Sequence, residues 1–415
     1  MKKRLLLITN GYPYGESERG FLTEEVKVLS EQFDLFIMAL ESQDELRYPT
    51  DGILHIEQYR FSSFRQTRQF RALPSVFQLA SLQEAWAYAK SNGFSNPVGD
   101  LRYILYSRFN VWEMQQQIGR LVQSEKIDIV YTYWCTECTV AAVNLKNRFP
   151  GLKVVTRFHG MDLYEERTAE NWQLFRREIA RKADGLCFIC EFGRTYFMER
   201  WGADHADKMH VFYLGSPDYG MQPPRRTECV KLVSCSNLIP LKRVNLIIEG
   251  LAALPETVEV RWDHFGDGVE RANLEALANE KLGNCPNIQW TFHGFVPNWT
   301  LAEEYRKITP DLFITTSSTE GLPVSIQEAF SMGMPAIGTP IGGIPDLIID
   351  GRTGFMLPDD VQVPDVAKAI MRYAELSEQR KQEMSATVRQ HWEAKFNAKE
   401  NAVRFAAYLR NLPSE

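Results

Sequence analysis

The sequence predicts two doubly wound α/β domains in tandem. Short apolar runs alternate with amphipathic helical stretches through most of the chain. At a stretch rich in Gly and Pro the alternation stops, and then it restarts. The length of 415 residues suits two or three domains at roughly 100–200 residues each. Apolar strands that alternate with helices indicate a parallel sheet covered on both faces.

The first strand-like run is KRLLLIT, followed by a Gly-containing turn and the helical pattern FLTEEVKVLSEQ. DLFIMAL, DIVYTY, LKVVTRF and DGLCFI follow, each ahead of a helix-like stretch. Residues 57–120 break the rhythm; they are aromatic and irregular and read as a helical insertion. The segment Gly215–Glu228, GSPDYGMQPPRRTE, has two glycines, three prolines and no apolar period. It reads as an interdomain linker. After it come KLVSCS, VEVRWDHF, IQWTFHG, DLFITT and MPAIGT, with helical patterns between them. The expected domains are 1–214 and 229–394. The tail is helical from about Ser385 to Leu412, and its part from about 395 to 415 is expected to pack back on the first domain. Ligands of such sheets bind at the carboxyl ends of the strands, near the switch in strand order. A cleft between two facing domains is therefore the expected site. No internal repeat or low-complexity segment is apparent.

Composition narrows the function. The net charge of -6 speaks against a general nucleic-acid binder, which carries a basic face. No stretch approaches the roughly 20 apolar residues that span a bilayer. The opening MKKRLLLITNGYP has a basic start, but the apolar run Leu5–Thr9 is too short for a signal core and reads as a first strand. The expected location is cytoplasmic. Seven scattered cysteines fit a reducing compartment. Cys135, Cys138, Cys187 and Cys190 have the spacing of a zinc site. The second pair lies in the apolar run DGLCFIC, where positions i and i+3 point to opposite faces of a strand. Core packing is the preferred reading, and no metal is expected.

The densest candidate site is TTSSTEGLPVSIQEAFSMGMPAIGTPIGGIPDLIIDGRTGFMLP. A strand ends in a polar turn, Gly321 permits close backbone approach, and Pro323 suits a helix start. Free N–H groups at such a start attract phosphate. Glu320 lies just before it, and Glu328 lies eight residues on, inside the helix. A carboxylate accepts hydrogen bonds from adjacent sugar hydroxyls. Phosphate-binding amides between two carboxylates suit a nucleotide sugar. Two glutamates capping a surface helix would be the plain alternative, and it does not account for the whole string.

This string resembles the E-x7-E motif of retaining glycosyltransferase family 4, most strongly over Leu312–Pro358, with Asp346 where the family often has Glu. The resemblance implies the GT-B fold, two Rossmann-like domains facing a central cleft. It implies Glu320 at the donor sugar, Glu328 on the ribose hydroxyls, and the backbone of Gly321, Leu322, Pro323 and Val324 at the diphosphate or sugar. VSCSNLIPLKRVNLIIEGL resembles the family's strand and basic pair. Lys242 falls on its diphosphate-binding lysine, Asn237 replaces its usual Arg, and Arg243 is a candidate substitute. TRFHGMDLYEE resembles the family's H-G-x-D, which places His159 at the transferred sugar and leaves Asp162 as a site residue or a helix cap. Gly11, Gly15 and Gly20 match its glycine loop near donor phosphate and acceptor, and Gly266 with Gly268 matches its second-domain glycine turn. No Asp-x-Asp occurs, which fits a metal-free mechanism.

The implied reaction moves a sugar from a nucleoside diphosphate to an acceptor hydroxyl with retention, in cell-surface polysaccharide or glycolipid synthesis. No cofactor is expected beyond that nucleoside-diphosphate sugar. A sugar-nucleotide epimerase, a phosphorylase and a non-catalytic sugar-nucleotide-binding subunit are the alternatives. The acceptor, a sugar or lipid-linked sugar, is not encoded in a local motif. Residues 58–83 carry Arg60, Arg65, Arg68 and Arg71 without an acidic residue, interleaved with Phe61, Phe64, Phe70 and Phe77. That segment suits docking on the inner face of an anionic membrane, and it equally suits a packed insertion with exposed arginines.

Overall fold

A computed structural model describes residues 2–15, 18–41, 45–60, 79–91, 93–223 and 229–413. The chain divides into two compact units. The first holds residues 1–212 and 402–415, and the second holds 213–401.

In the first unit the described residues form a seven-stranded parallel sheet of order β3-β2-β1-β4-β5-β6-β7. The strands are β1 (Arg4–Thr9), β2 (Asp34–Ala39), β3 (Ile53–Gln58), β4 (Ile129–Thr132), β5 (Lys153–Phe158), β6 (Gly185–Phe188) and β7 (Met209–Val211). In β1, Leu6 and Ile8 join one apolar layer while Leu5 and Leu7 join the other. A strand with period two therefore feeds two cores, and this is why its sequence is apolar throughout. The helix Ala398–Arg410 covers the second layer with Phe405, Ala406 and Leu409. Arg157 is buried there, paired with Glu25 at 2.6 Å and 4.3 Å from the Phe405 ring.

The described parts of the stretch 57–120 are more regular than their sequence suggests. The helix Pro97–Ser124 places Ile104, Val111, Met114 and Ile118 in the first apolar layer. The edge strand β3 was not expected: only one side of it is paired, none of its six residues is buried and three of them are polar. Phe61, Phe64, Arg65, Arg68, Phe70, Arg71 and Phe77 lie outside the described residues.

The second unit has a six-stranded parallel sheet of order β10-β9-β8-β11-β12-β13 among its described residues. These strands are β8 (Val230–Cys235), β9 (Val260–Phe265), β10 (Ile288–Gly294), β11 (Leu312–Ile314), β12 (Ala336–Gly338) and β13 (Gly354–Met356). Strand order reverses between β8 and β11, so the turns after these two strands frame the crevice where such sheets bind ligands.

The glycine- and proline-rich stretch is tied down as far as Gln222, whose N donates to Met332 O at 3.0 Å. Ser216 N donates to Phe396 O at 3.0 Å, Ala398 N donates to Ser216 O at 3.1 Å, and Trp392 Nε1 donates to Ser216 Oγ at 2.8 Å. These bonds split the helical tail into Glu378–Lys395 and Ala398–Arg410. Residues 224–228 lie outside the described set.

Candidate functional site

The turns after β8 and β11 bring Lys242 and Glu320 together. Lys242 ends a short 3-10 turn, Pro240–Lys242, and its Nζ donates to Glu320 Oε1 at 2.5 Å. Both side chains are largely but not fully buried. A lysine Nζ carries three N–H groups, so two remain for another anion. Arg243 holds a left-handed backbone at φ 47. Its Nε donates to Thr316 O at 2.7 Å and its Nη2 to Ser317 O at 3.1 Å. Thr316 Oγ1 returns a bond to Arg243 O at 2.9 Å. Arg243 thus straps one turn to the other, and two of its donors are committed to that task. Asn237 is exposed in the same turn.

The helix Val324–Ser331 starts directly after this pair, with Pro323 as its N-cap and no side chain capping its first N–H groups. Leu322 and Pro323 are buried, which fixes the approach to that start. Gly321 O accepts from Gly343 N at 2.6 Å. Gly342 has φ +52, and a Cβ there would lie 2.1 Å from Glu320 O. The motif GTPIGG therefore has a steric reason, because only glycine lets this loop seat against the Glu320 backbone. Gly266, at φ +138, serves the neighbouring turn in the same way; a Cβ would lie 1.9 Å from Ser236 O.

Glu328 faces inward from the helix and is 5% exposed. Burial pushes its carboxyl up to about 8, against a hydrogen bond from Tyr219 that favours the charged form. Burial also raises Tyr219, and the Glu328 charge adds to that. Sequence reading missed Tyr219. It lies in the stretch taken for a linker, and nothing local marks it.

In the first unit, His159 directly follows β5 and is 6% exposed. Its ring lies 4.1 Å from the Trp134 ring and 4.6 Å from the Tyr133 ring, centre to centre. Nδ1 stands 3.7 Å from Asp162 Oδ2, and neither ring nitrogen has a hydrogen-bond partner. Asp162 does not cap a following helix. Its carboxylate accepts from His159 N at 2.7 Å and Cys135 N at 2.9 Å, and so joins the ends of β4 and β5.

The glycine loop after β1 differs from expectation. Gly20 lies inside the helix Arg19–Gln32. Gly11 O accepts from Gly15 N at 2.7 Å, closing the turn. The N–H groups of Asn10, Gly11 and Tyr12 donate to the Glu18 carboxylate at 3.0, 2.8 and 2.7 Å, and Trp134 Nε1 donates to it at 2.5 Å. These amides are satisfied from within. Glu18, 1% exposed, is a residue that sequence reading missed. The available signal was a carboxylate directly ahead of the helix that the loop feeds. Beside it lies a cavity of about 290 Å³ lined by Asn10, Tyr103, Trp134, Glu137, Trp172 and Arg176 among others.

Cys135, Cys138, Cys187 and Cys190 are buried, and all but Cys190 are members of the two apolar layers. Among the described residues no three His, Cys, Asp or Glu side chains gather as for a metal.

Residues 222–390 match the family described as glycosyl transferases group 1, and residues 59–215 match the glycosyl transferase 4-like domain. The chain is similar to the putative colanic acid biosynthesis glycosyltransferase WcaL of Salmonella typhimurium, 24% identical over 244 residues, 54% of this chain and 55% of that protein. It is also similar to the N-acetyl-alpha-D-glucosaminyl L-malate synthase of Bacillus anthracis, 23% identical over 279 residues, 63% of this chain and 70% of that protein. The chain thus spans about half the length of the first of these relatives. In fold it is similar to Anabaena Alr3699/HepE, solved in complex with UDP and glucose, with TM-score 0.66 at 16% identity over 98% of this chain and 100% of that one. The two parallel sheets and that likeness give the chain the two-domain Rossmann-like GT-B architecture. With one family match on each side of residue 220, the chain belongs to the glycosyl transferases group 1, of the family 4-like type.

Proposed function

We propose that the protein transfers a sugar from a nucleoside-diphosphate sugar to an acceptor hydroxyl, with retention, in cell-surface polysaccharide or glycolipid synthesis. The observation that carries this reading is the Lys242–Glu320 pair, seated at the β8/β11 switch point and directly ahead of an uncapped helix start. A diphosphate placed there meets the two remaining Lys242 N–H groups and the free amides from Val324 onward. These donors stabilise the charge that develops as the sugar leaves. Glu320 is assigned to the donor sugar and Glu328 to the ribose hydroxyls. His159 is assigned to the transferred sugar, on the strength of two buried ring nitrogens without a partner. In the first unit, the cavity beside Trp134 and Trp172 offers aromatic faces and the Glu137 carboxylate to an acceptor sugar.

A thermal-shift screen of the intact chain against UDP-, GDP-, ADP- and dTDP-sugars tests the reading. A donor at a hundred times its Kd stabilises by about 2.7 kcal/mol. One of the four is expected to stabilise the wild type, and less so Lys242→Ala. If none does, the reading fails. Product from donor alone would mean an epimerase, phosphate dependence a phosphorylase, and binding without turnover a non-catalytic subunit.

A further inference from the structure

The helices Leu79–Ser91 and Pro97–Ser124 form a hairpin whose exposed surface combines large apolar side chains with positive charge. Leu82, Trp86, Phe94, Val98, Leu101 and Tyr106 are all exposed, Trp86 by 60% and Val98 by 78%. Six such residues within 25 positions form a concentration that a soluble surface usually avoids. Their spacing is helical. Leu82, Trp86 and Lys90 recur every fourth residue, and Lys90 Nζ lies 5.1 Å from the Trp86 ring centre. Val98, Leu101 and Arg102 follow the same rule in the next helix, with Phe94 in the turn between. The opposite faces are inward. Tyr88 and Ile104 are buried, and the Tyr88 and Tyr103 rings lie 5.5 Å apart between the two helices.

Charge decides what covers this surface. Between residues 79 and 106 the exposed charged groups are Lys90 and Arg102. The two carboxylates are turned in: Glu84 accepts from Trp172 Nε1 at 2.9 Å and Phe175 N at 3.1 Å, and Asp100 is 6% exposed. An apolar face with Trp, Phe and Leu beside Lys and Arg, with no exposed acid between residues 79 and 106 and Glu170 near Tyr103 as an exposed carboxylate from outside the hairpin, matches the interface of an anionic bilayer. Among the described residues no helix is long and apolar enough to cross a membrane, so the fit is to lying on the surface.

We propose that this hairpin docks the protein on an anionic lipid surface, with Trp86, Phe94 and Val98 entering the headgroup layer and Lys90 and Arg102 pairing with lipid charge. The inference is independent of the donor-site reading. It concerns the hairpin from Leu79 onward, which overlaps the end of the segment 58–83 singled out in the sequence.

The test is flotation of the full chain with phosphatidylglycerol vesicles and with phosphatidylcholine vesicles. The wild type is expected to float with the first and far less with the second. Lys90→Glu with Arg102→Glu is expected to lower partitioning at least about tenfold, at roughly 1 kcal/mol per basic residue. Trp86→Ser with Val98→Ser is expected to abolish it, while the thermal midpoint stays unchanged because both side chains are exposed. Absence of flotation overturns the proposal. So does flotation that the variants leave unaltered. Sedimentation runs in parallel; a concentration-dependent dimer that Trp86→Ser with Val98→Ser dissolves would make the hairpin a contact between copies and overturn it as well.

Discussion

Glu328→Gln should stabilise the protein at neutral and alkaline pH while weakening its hold on the donor. The buried carboxyl titrates at about 8 instead of its ordinary 4.5. A carboxyl raised by folding favours the neutral form, so its contribution is full below about pH 4.5 and is lost as pH rises to about 8. At about 1.4 kcal/mol per pH unit, the loss between pH 5 and pH 8 is of the order of 4 kcal/mol. Glutamine keeps the size of the side chain and an acceptor for Tyr219, and it carries no charge to bury. Denaturant unfolding of the intact wild type and variant at pH 5 and pH 8 reads this directly. All other titrations are common to both proteins, so the difference between them isolates Glu328. The variant is expected to gain several kcal/mol on the wild type by pH 8, and little at pH 5. A second readout follows if ribose hydroxyls donate to the carboxylate: the wild type must release a proton to bind. Its apparent donor affinity should then rise by up to about tenfold per pH unit below pH 8, and the variant's should not. Equal pH dependence of stability in the two proteins would refute the reasoning.

Three further outcomes are expected. Lys242→Ala should lower the transfer rate by about 100- to 1000-fold, with a smaller effect on donor affinity, measured as a kcat against KM split. Glu18→Ala leaves three loop N–H groups and the Trp134 indole N–H without their acceptor; stability should fall by at least about 2 kcal/mol, read by chemical denaturation. Gly342→Ala places a Cβ 2.1 Å from Glu320 O at a positive φ, and should lose donor-induced stabilisation even where circular dichroism shows the protein folded.

The sequence by itself determined ten of the thirteen strands among the described residues and the strand, turn and helix around Glu320. Apolar runs such as KRLLLIT are buried on both faces, and this demand is written residue by residue in β1. Gly266 was legible for a similar reason, since a position without room for a Cβ excludes every other residue. The edge strand β3 was not legible, because half-exposed residues carry no apolar pattern. Only the tertiary structure decided how side chains are spent. Arg243 looked like a free cation and is a strap between two turns. The amides of the first glycine loop looked open and are held by Glu18. Tyr219 lies more than a hundred positions from Glu328 in sequence and meets it in the fold. Local pattern records which groups must be buried and which backbone must bend. For Arg243 and Tyr219, which donor meets which acceptor is set by long-range packing, and no short window of sequence holds both partners.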